Sequence, residues 1–400
     1  MPNQPLTILC VATFEKGQDF LRQCKAEGCR VLLLTMEKLR GADWPHEAID
    51  DYFYLPENYC REDVIKGVSW MARHIRIDRI VALDDFDVET GAALREHLRL
   101  PGMGDTTARY FRDKLAMRVK ARDHGFLVPE FVHVLNYEAL AEYMARVPPP
   151  WVLKPRSEAS ATGIRKVNCA DDLWPILDEL GDKQSFYVLE KYVVGDVFHI
   201  DSFIWHNNVV FAVSHKYGTP PMDVAHEGGV FMTRRIDPKS ADAQALKNLN
   251  RSLVKTLGLM RGVTHTEFIK GRDDGRFYFL ETGARVGGAN IAETIEAATG
   301  LNPWREWAKI EVAGEDGEYT VPPHRDDYAG IVISLARQEC PDTSAYTEPE
   351  IVWRLNKRHH VGLVVASPAE MRVEELLSQY VERICRDFLA IEPLPDRAAN

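Results

Sequence analysis

The sequence predicts a mixed α/β and α+β fold, built as two or three domains around a parallel sheet near the N-terminus. Three observations carry this reading. Residues 7–85 alternate short apolar runs with amphipathic stretches, the pattern of a parallel sheet covered on both faces. Residues 263–283 hold two β-rich runs about the turn segment Gly271 to Gly275, where Asp-Asp-Gly signals a hairpin. From Val321 the character changes to V-P-P-H-R-D-D-Y and then a strand-like G-I-V-I-S-L-A-R, which marks a small α+β C-terminal subdomain. A chain of 400 residues is long enough to bury the cores this requires.

Taken in order, Thr7 to Thr13 reads as a buried strand, Asp19 to Glu27 as an amphipathic helix ending at Gly28, and Arg30 to Thr35 as a second strand. Asp63 to His74 reads as a helix and Arg79 to Leu83 as a strand that ends at Asp84-Asp85. The first strand–helix turn, A-T-F-E-K-G-Q-D-F, lacks G-x-G-x-x-G and argues against a nicotinamide-binding site. Thr106 to His124 reads as one long helix, stopped by G-F-L-V-P. Val147-Pro148-Pro149-Pro150 marks a boundary, because proline fixes φ and cannot join a central ladder. The strand W-V-L-K-P follows, and then the small-residue loop R-S-E-A-S-A-T-G-I.

Tyr187 to Val194, Gly195 and D-V-F-H-I-D-S-F read as strand, link and strand. His215 to Arg235 is predicted to be loop-rich, as lids and binding loops are. Ala243 to Leu257 is an amphipathic helix, and Gly300-Leu301-Asn302-Pro303 ends the next one. The chain closes with the apolar run Val361 to Ser367 and an amphipathic helix over Glu370 to Phe388.

The bulk composition excludes several partners. With 49 basic and 60 acidic residues the net charge is −11, which disfavours nucleic acid. Seven scattered cysteines with no C-x-x-C pair fit reduced thiols and a cytoplasmic location. No apolar run approaches the ~18 residues of a membrane span, and the first ten residues do not read as a signal peptide. His324 and the pair His359-His360 lack metal-ligand spacing, since adjacent strand residues point to opposite faces.

The chemistry concentrates in residues 263–293. A turn centred on Asp274 puts Glu267 and Glu281 opposite one another, with Cβ atoms roughly 5 Å apart on one sheet face. Two carboxylates at that distance need neutralising, and a pair of divalent cations about 3.5–4 Å apart that bridges phosphates suits them. A surface hairpin with two solvated acids is the plainer alternative. Arg285 and Gly287-Gly288 then lead into an expected helix start, a natural anion site. In the loop after Lys154-Pro155, small hydroxyl residues such as Ser160, together with Gly163, let backbone N–H groups close over phosphates, although the composition also fits a plain flexible turn.

H-T-E-F followed by E-T-G-A-R-V-G-G resembles the late hairpin of the ATP-grasp superfamily, H-x-E-F and E-x-N-x-R-x-G-G, and above all its carboxylate–amine ligase branch with L-amino-acid ligases and carnosine-synthase-like enzymes. The resemblance runs from the first strand to about residue 330. It implies an ATP-grasp fold with a Rossmann-like pre-ATP-grasp domain over 1–105, a core over 106–320 with a lid at about 130–195, and the C-terminal subdomain over 321–400. It makes Lys114 of Asp113-Lys114 a nucleotide-phosphate lysine, where the residue alone reads equally as a solvated helix lysine. It makes the loop after Lys154 a mobile flap.

Glu190 matches the first acid of E-x-x-x-x-G-x-E, so that it and the link holding Val193 meet the adenine. Val197 stands where the family has the ribose acid, and alternation puts Asp201 rather than Asp196 on its face. Arg234 and Arg235 stand where many members carry a cation beside the transferred phosphoryl group. Gly283 replaces an Asn that often completes the metal shell, which leaves one or two metal ions open.

The implied function is an ADP-forming ligase that uses ATP and Mg²⁺ (or Mn²⁺) to activate a small carboxylate, such as an amino acid, and join it to an amine. Arg285 would then serve the acyl phosphate and Glu267 and Glu281 the metal. A homodimer is compatible with this. The rivals are an ATP-grasp carboxylase, whose E-x-x-C-S-x-Q-R-R signature is replaced here by E-G-G-V-F-M-T-R-R, a non-catalytic ATP-binding regulator, and an α/β binding module for another ligand.

Overall fold

The computed structural model describes residues 5–159 and 162–391. Its first sheet is parallel, ordered β3-β2-β1-β4, from β1 (Thr7–Ala12), β2 (Arg30–Met36), β3 (Asp51–Leu55) and β4 (Arg79–Ala82). Every residue of β1 is buried, as its unbroken apolar run requires of a central strand. The edge strand β3 was not read from the sequence; its D-Y-F-Y-L is only half-buried. Leu9, Val11, Leu32 and Leu34 pack on the helix Arg61–Met71. The opposite face, with Ile8 and Cys10, meets Phe20 and then Ile295, Trp307 and Ile310 from the much later helices Ile291–Thr299 and Pro303–Ala313.

The expected long helix over Thr106 to His124 is two pieces, Asp105–Ala108 and Lys114–Asp123, with a break at Arg112-Asp113. Asp113 causes the restart: its carboxylate caps the second helix by accepting from the backbone N–H groups of Leu115 and Ala116. Lys114 therefore begins a helix instead of lying within one.

A four-stranded antiparallel sheet follows, ordered β5-β8-β6-β7, from β5 (Phe131–His133), β6 (Trp151–Pro155), β7 (Arg165–Val167) and β8 (Tyr187–Lys191). The helices Tyr137–Arg146 and Ala170–Leu180 cover it through Leu140, Tyr143, Leu173 and Leu177.

The largest sheet has eight strands, ordered β13-β12-β9-β10-β11-β14-β16-β15. They are β9 (Gly195–Trp205), β10 (Asn208–Tyr217), β11 (Phe231–Arg235), β12 (Gly262–Gly271), β13 (Phe277–Gly283), β14 (Tyr328–Leu335), β15 (Ile351–Arg354) and β16 (His360–Ser367). The expected loop-rich segment at His215 to Arg235 is thus more ordered than its composition suggests: β10 runs to Tyr217, a helix spans Pro221–Glu227, and β11 returns along β10. The C-terminal strands extend this same sheet, and the helix Glu370–Asp387 packs on it through Val373, Leu377 and Tyr380. Among the described residues no helix is long and apolar enough to cross a membrane.

Candidate active site

β12 and β13 pair antiparallel with Glu267 directly opposite Glu281. The turn alone does not produce this. Near the turn Lys270 faces Phe277 and Phe268 faces Phe279, a register that would set Glu267 against Leu280. The ladder slips by one residue between Glu267 and Phe268, leaving Leu280 as an extra residue on β13. The bulge turns Leu280 and Glu281 toward one cavity, which both line.

That cavity measures about 630 Å³, within the ordinary range for small-molecule sites. Glu267, Glu281, Lys114, Lys154, Arg285 and Glu158 all line it. The Tyr217 hydroxyl donates to Glu267 at 2.7 Å. Lys114 Nζ lies 2.9 Å from Glu281 Oε2 and donates to the Glu158 carbonyl at 2.7 Å, which ties the loop after β6 to the β12–β13 hairpin. Burial raises the Glu281 pKa, but the Lys114 charge outweighs it and brings it down to about 2, so the group is ionised at neutral pH.

Glu190 and Val193 both line this cavity. The Glu190 side chain is 1 % exposed and turned onto Arg118 Nε at 2.8 Å and Lys154 Nζ at 3.0 Å. Burial works against its charge, and the two cations overcome it, holding the carboxyl below the usual range. Its carboxylate is thus engaged by both cations. Near it Val193, Val197, Ile269 and Leu280 pack together and make an apolar stretch of the cavity wall, an apolar slot. The slot explains valine at 197, in a position where an acid was expected.

Other expected residues fall elsewhere. Asp201 does share a face with Val197, but four residues along a strand is about 13 Å. There it accepts from His199 Nδ1 at 2.7 Å and His265 Nδ1 at 2.9 Å, buried beneath the site, so it is not free for a ribose. Asp196 lines the cavity instead and pairs with Lys216. Arg234 is drawn to Glu370 and Glu374 of the C-terminal helix and does not line the cavity. Its neighbour Arg235 pairs with Asp326. Gly163 does not line the cavity, although its neighbours Thr162 and Ile164 do, and Ser160 lies outside the described residues. The expected helix start near Gly288 comes at Ile291, and Gly288, Ala289 and Ile291 line the cavity.

Two participants were not anticipated, Tyr217 on Glu267 and Asp85 at the end of β4. Asp85 Oδ2 accepts from Arg285 Nε at 2.7 Å across 200 residues of sequence. Burial opposes the guanidinium charge, yet Asp85 more than restores it and raises the Arg285 pKa.

No protein-family model matches the chain. It is 26 % identical over 283 residues to the L-arginine-specific L-amino acid ligase of Bacillus subtilis, covering 68 % of this chain and 67 % of that one. The crystal structure of the L-amino acid ligase from Bacillus licheniformis superposes with a TM-score of 0.76 at 18 % identity, over 97 % of this chain and 99 % of that one. Carboxyaminoimidazole ribonucleotide synthase from Aspergillus clavatus, solved with ATP, superposes with a TM-score of 0.74 at 14 % identity, over 96 % and 99 %. The chain shares the fold of these solved structures. In this fold the cavity lies between two sheets, with Lys154 and Glu190 contributed by the four-stranded sheet and Val197, Glu267 and Glu281 by the eight-stranded one.

Proposed function

We propose that this protein is an ATP-dependent carboxylate–amine ligase that forms an acyl phosphate and then an amide. The observation that carries the reading is the convergence on one cavity of two opposed carboxylates and three cations, Lys114, Lys154 and Arg285. Glu267 and Glu281 offer a pair of charged oxygen ligands, the donor type that hard cations such as Mg²⁺ or Mn²⁺ prefer. When bound, such a cation neutralises phosphate charge and helps align the transferred group.

The chain's own residues supply the rest. Lys114 and Lys154 offset triphosphate charge, and the Val193–Leu280 slot takes the adenine. A substrate carboxylate oxygen attacks the γ-phosphorus, and the bond to the ADP oxygen breaks. Arg285 binds the resulting acyl phosphate through a guanidinium fork suited to oxyanions. The amine then attacks the acyl carbon and expels inorganic phosphate, giving an amide with loss of the amine proton. Glu158 and Thr162, in the loop after β6, line the cavity and help keep water from the acyl phosphate.

A phosphate-release screen pairing carboxylates with amines, with Mg²⁺ and ATP, tests this. L-Arginine belongs first in the panel, since the Bacillus subtilis relative is specific for it. Release of ADP that requires both a carboxylate and an amine is the expected result. Release that depends on bicarbonate would favour a carboxylase instead, and ATP binding without release a regulator.

A further inference from the structure

We propose that Asp85, at the end of β4, is the positioning residue for Arg285, and that glycine at 283 is what admits it to the site. The inference rests on the ligase reading for the role of Arg285. Its geometry stands independently.

Arg285 offers five N–H groups. Nε is fixed on Asp85 Oδ2 at 2.7 Å, and Nη1 donates to the Val286 carbonyl at 3.0 Å. Nη2 has no partner among the described residues, so the end-on edge of the fork is left for an oxyanion in the cavity that Arg285 lines. Asp85 is well placed to hold one edge while the other works. Its side chain is buried, and its turn is anchored on both sides. Asp84 accepts from the Phe86 backbone N–H at 3.1 Å, and Asp87 accepts from both the N–H and the hydroxyl of Thr13. Phe86 stacks on Phe14 and carries the Arg112 guanidinium 4.8 Å above its ring. Arg112 in turn donates to the Ser157 carbonyl of the loop after β6.

Gly283 completes the argument. A Cβ there would stand 2.8 Å from Asp85 Oδ1 and 3.4 Å from Arg285 Cγ, a separation that real Cβ atoms do not show to a buried oxygen. Its φ is not in the left-handed region, so what glycine supplies here is room for the Asp85 carboxylate and not a special conformation. Any side chain at 283 would push the Asp85 carboxylate off the position in which it meets Arg285. The glycine is therefore the counterpart of a carboxylate contributed by the N-terminal sheet, and not a simple loss from the metal shell.

The alternative role for Asp85 is a competing anion that blocks Arg285, and the two roles predict opposite signs. The experiment uses the full chain, with inorganic phosphate as the probe, titrated by calorimetry into protein saturated with MgADP. Melting temperature and turnover are measured on the same preparations. Asp85→Ala should weaken phosphate binding and slow turnover by about tenfold, through loss of a preorganised fork. MgADP affinity should be unchanged. Asp85→Asn, which keeps an oxygen acceptor for Nε, should recover most of the loss, and Gly283→Ala should resemble Asp85→Ala. In an Arg285→Ala background, Asp85→Ala should have no further effect.

Tighter phosphate binding in both Asp85 variants would overturn the proposal in favour of the competing anion. Equal losses with and without Arg285 would also overturn it. So would a loss confined to melting temperature. If the unaltered protein turns over no carboxylate–amine pair, the ligase reading fails while the phosphate titration still decides the role of Asp85.

Discussion

At the scale of single residues, the carboxylate pair dominates what can be tested. Glu281 stays charged in a buried place because Lys114 stands 2.9 Å away. Glu281→Gln keeps the shape and removes the charge, which should cost about 3 kcal/mol of transition-state stabilisation, some two orders of magnitude in phosphate release. Full activity of this variant at ordinary Mg²⁺ would remove Glu281 from the metal site. Lys154→Ala should weaken ATP binding, measured by calorimetry, with little loss of fold, because Arg118 still neutralises Glu190. Equal ATP affinities would take Lys154 out of the site. Arg285→Lys keeps a charge but loses the fork, so turnover should fall while ATP affinity holds. A parallel loss of melting temperature and ATP binding would mark Arg285 as structural instead.

At the scale of elements, the hairpin depends on its bulge. Leu280 is the extra residue, and its side chain enters the apolar slot beside Val193 and Val197. Leu280→Ala removes part of that wall, and about 1 kcal/mol of lost apolar contact is roughly a fivefold rise in the ATP dissociation constant. An unchanged constant would place the adenine elsewhere. The opposition of Glu267 and Glu281 was legible in the sequence because both sit in one hairpin, where local spacing sets the partner. The residues placed away from the cavity share a different cause. Alternation assigned Asp201 the correct face but carries no information about distance along β9. Arg234 was read from its position in a motif, while its direction is set by Glu370 and Glu374 in a helix far along the chain. Asp85 could be seen as the end of a strand, but nothing local announces a partner 200 residues away. The fold class was readable, since periodicity reports most elements directly, though not the half-buried edge strand β3. The merging of β14 to β16 into the central sheet was not, because strand order depends on packing between distant segments.

At the scale of the whole molecule, Asp87 ties stability to pH. It is buried beside Asp84, and burial, the larger cause, raises its pKa to about 7 despite the two hydrogen bonds from Thr13 and the nearby charge of Lys16. A carboxyl whose pKa is higher in the folded state adds stability that is complete below its unfolded pKa near 4 and is lost as pH rises through about 7. Asp87→Asn should therefore melt several degrees above the unaltered protein at pH 8, with a gap that closes toward pH 5. The gap corresponds to a few kcal/mol at most. A gap independent of pH would show that Asp87 is ionised throughout. The N-terminal sheet has a further consequence for how the chain is made. One apolar face of that sheet is covered by the helices Ile291–Thr299 and Pro303–Ala313, which follow the end of β4 by roughly 200 residues. At ~5–20 residues per second a ribosome needs about 10–40 s to deliver that cover. During that interval only the helix Gln18–Ala26, through Phe20, Leu21 and Cys24, covers Ile8, Cys10, Val31 and Leu33, and the half-covered face is a natural client for a chaperone that holds chains during translation.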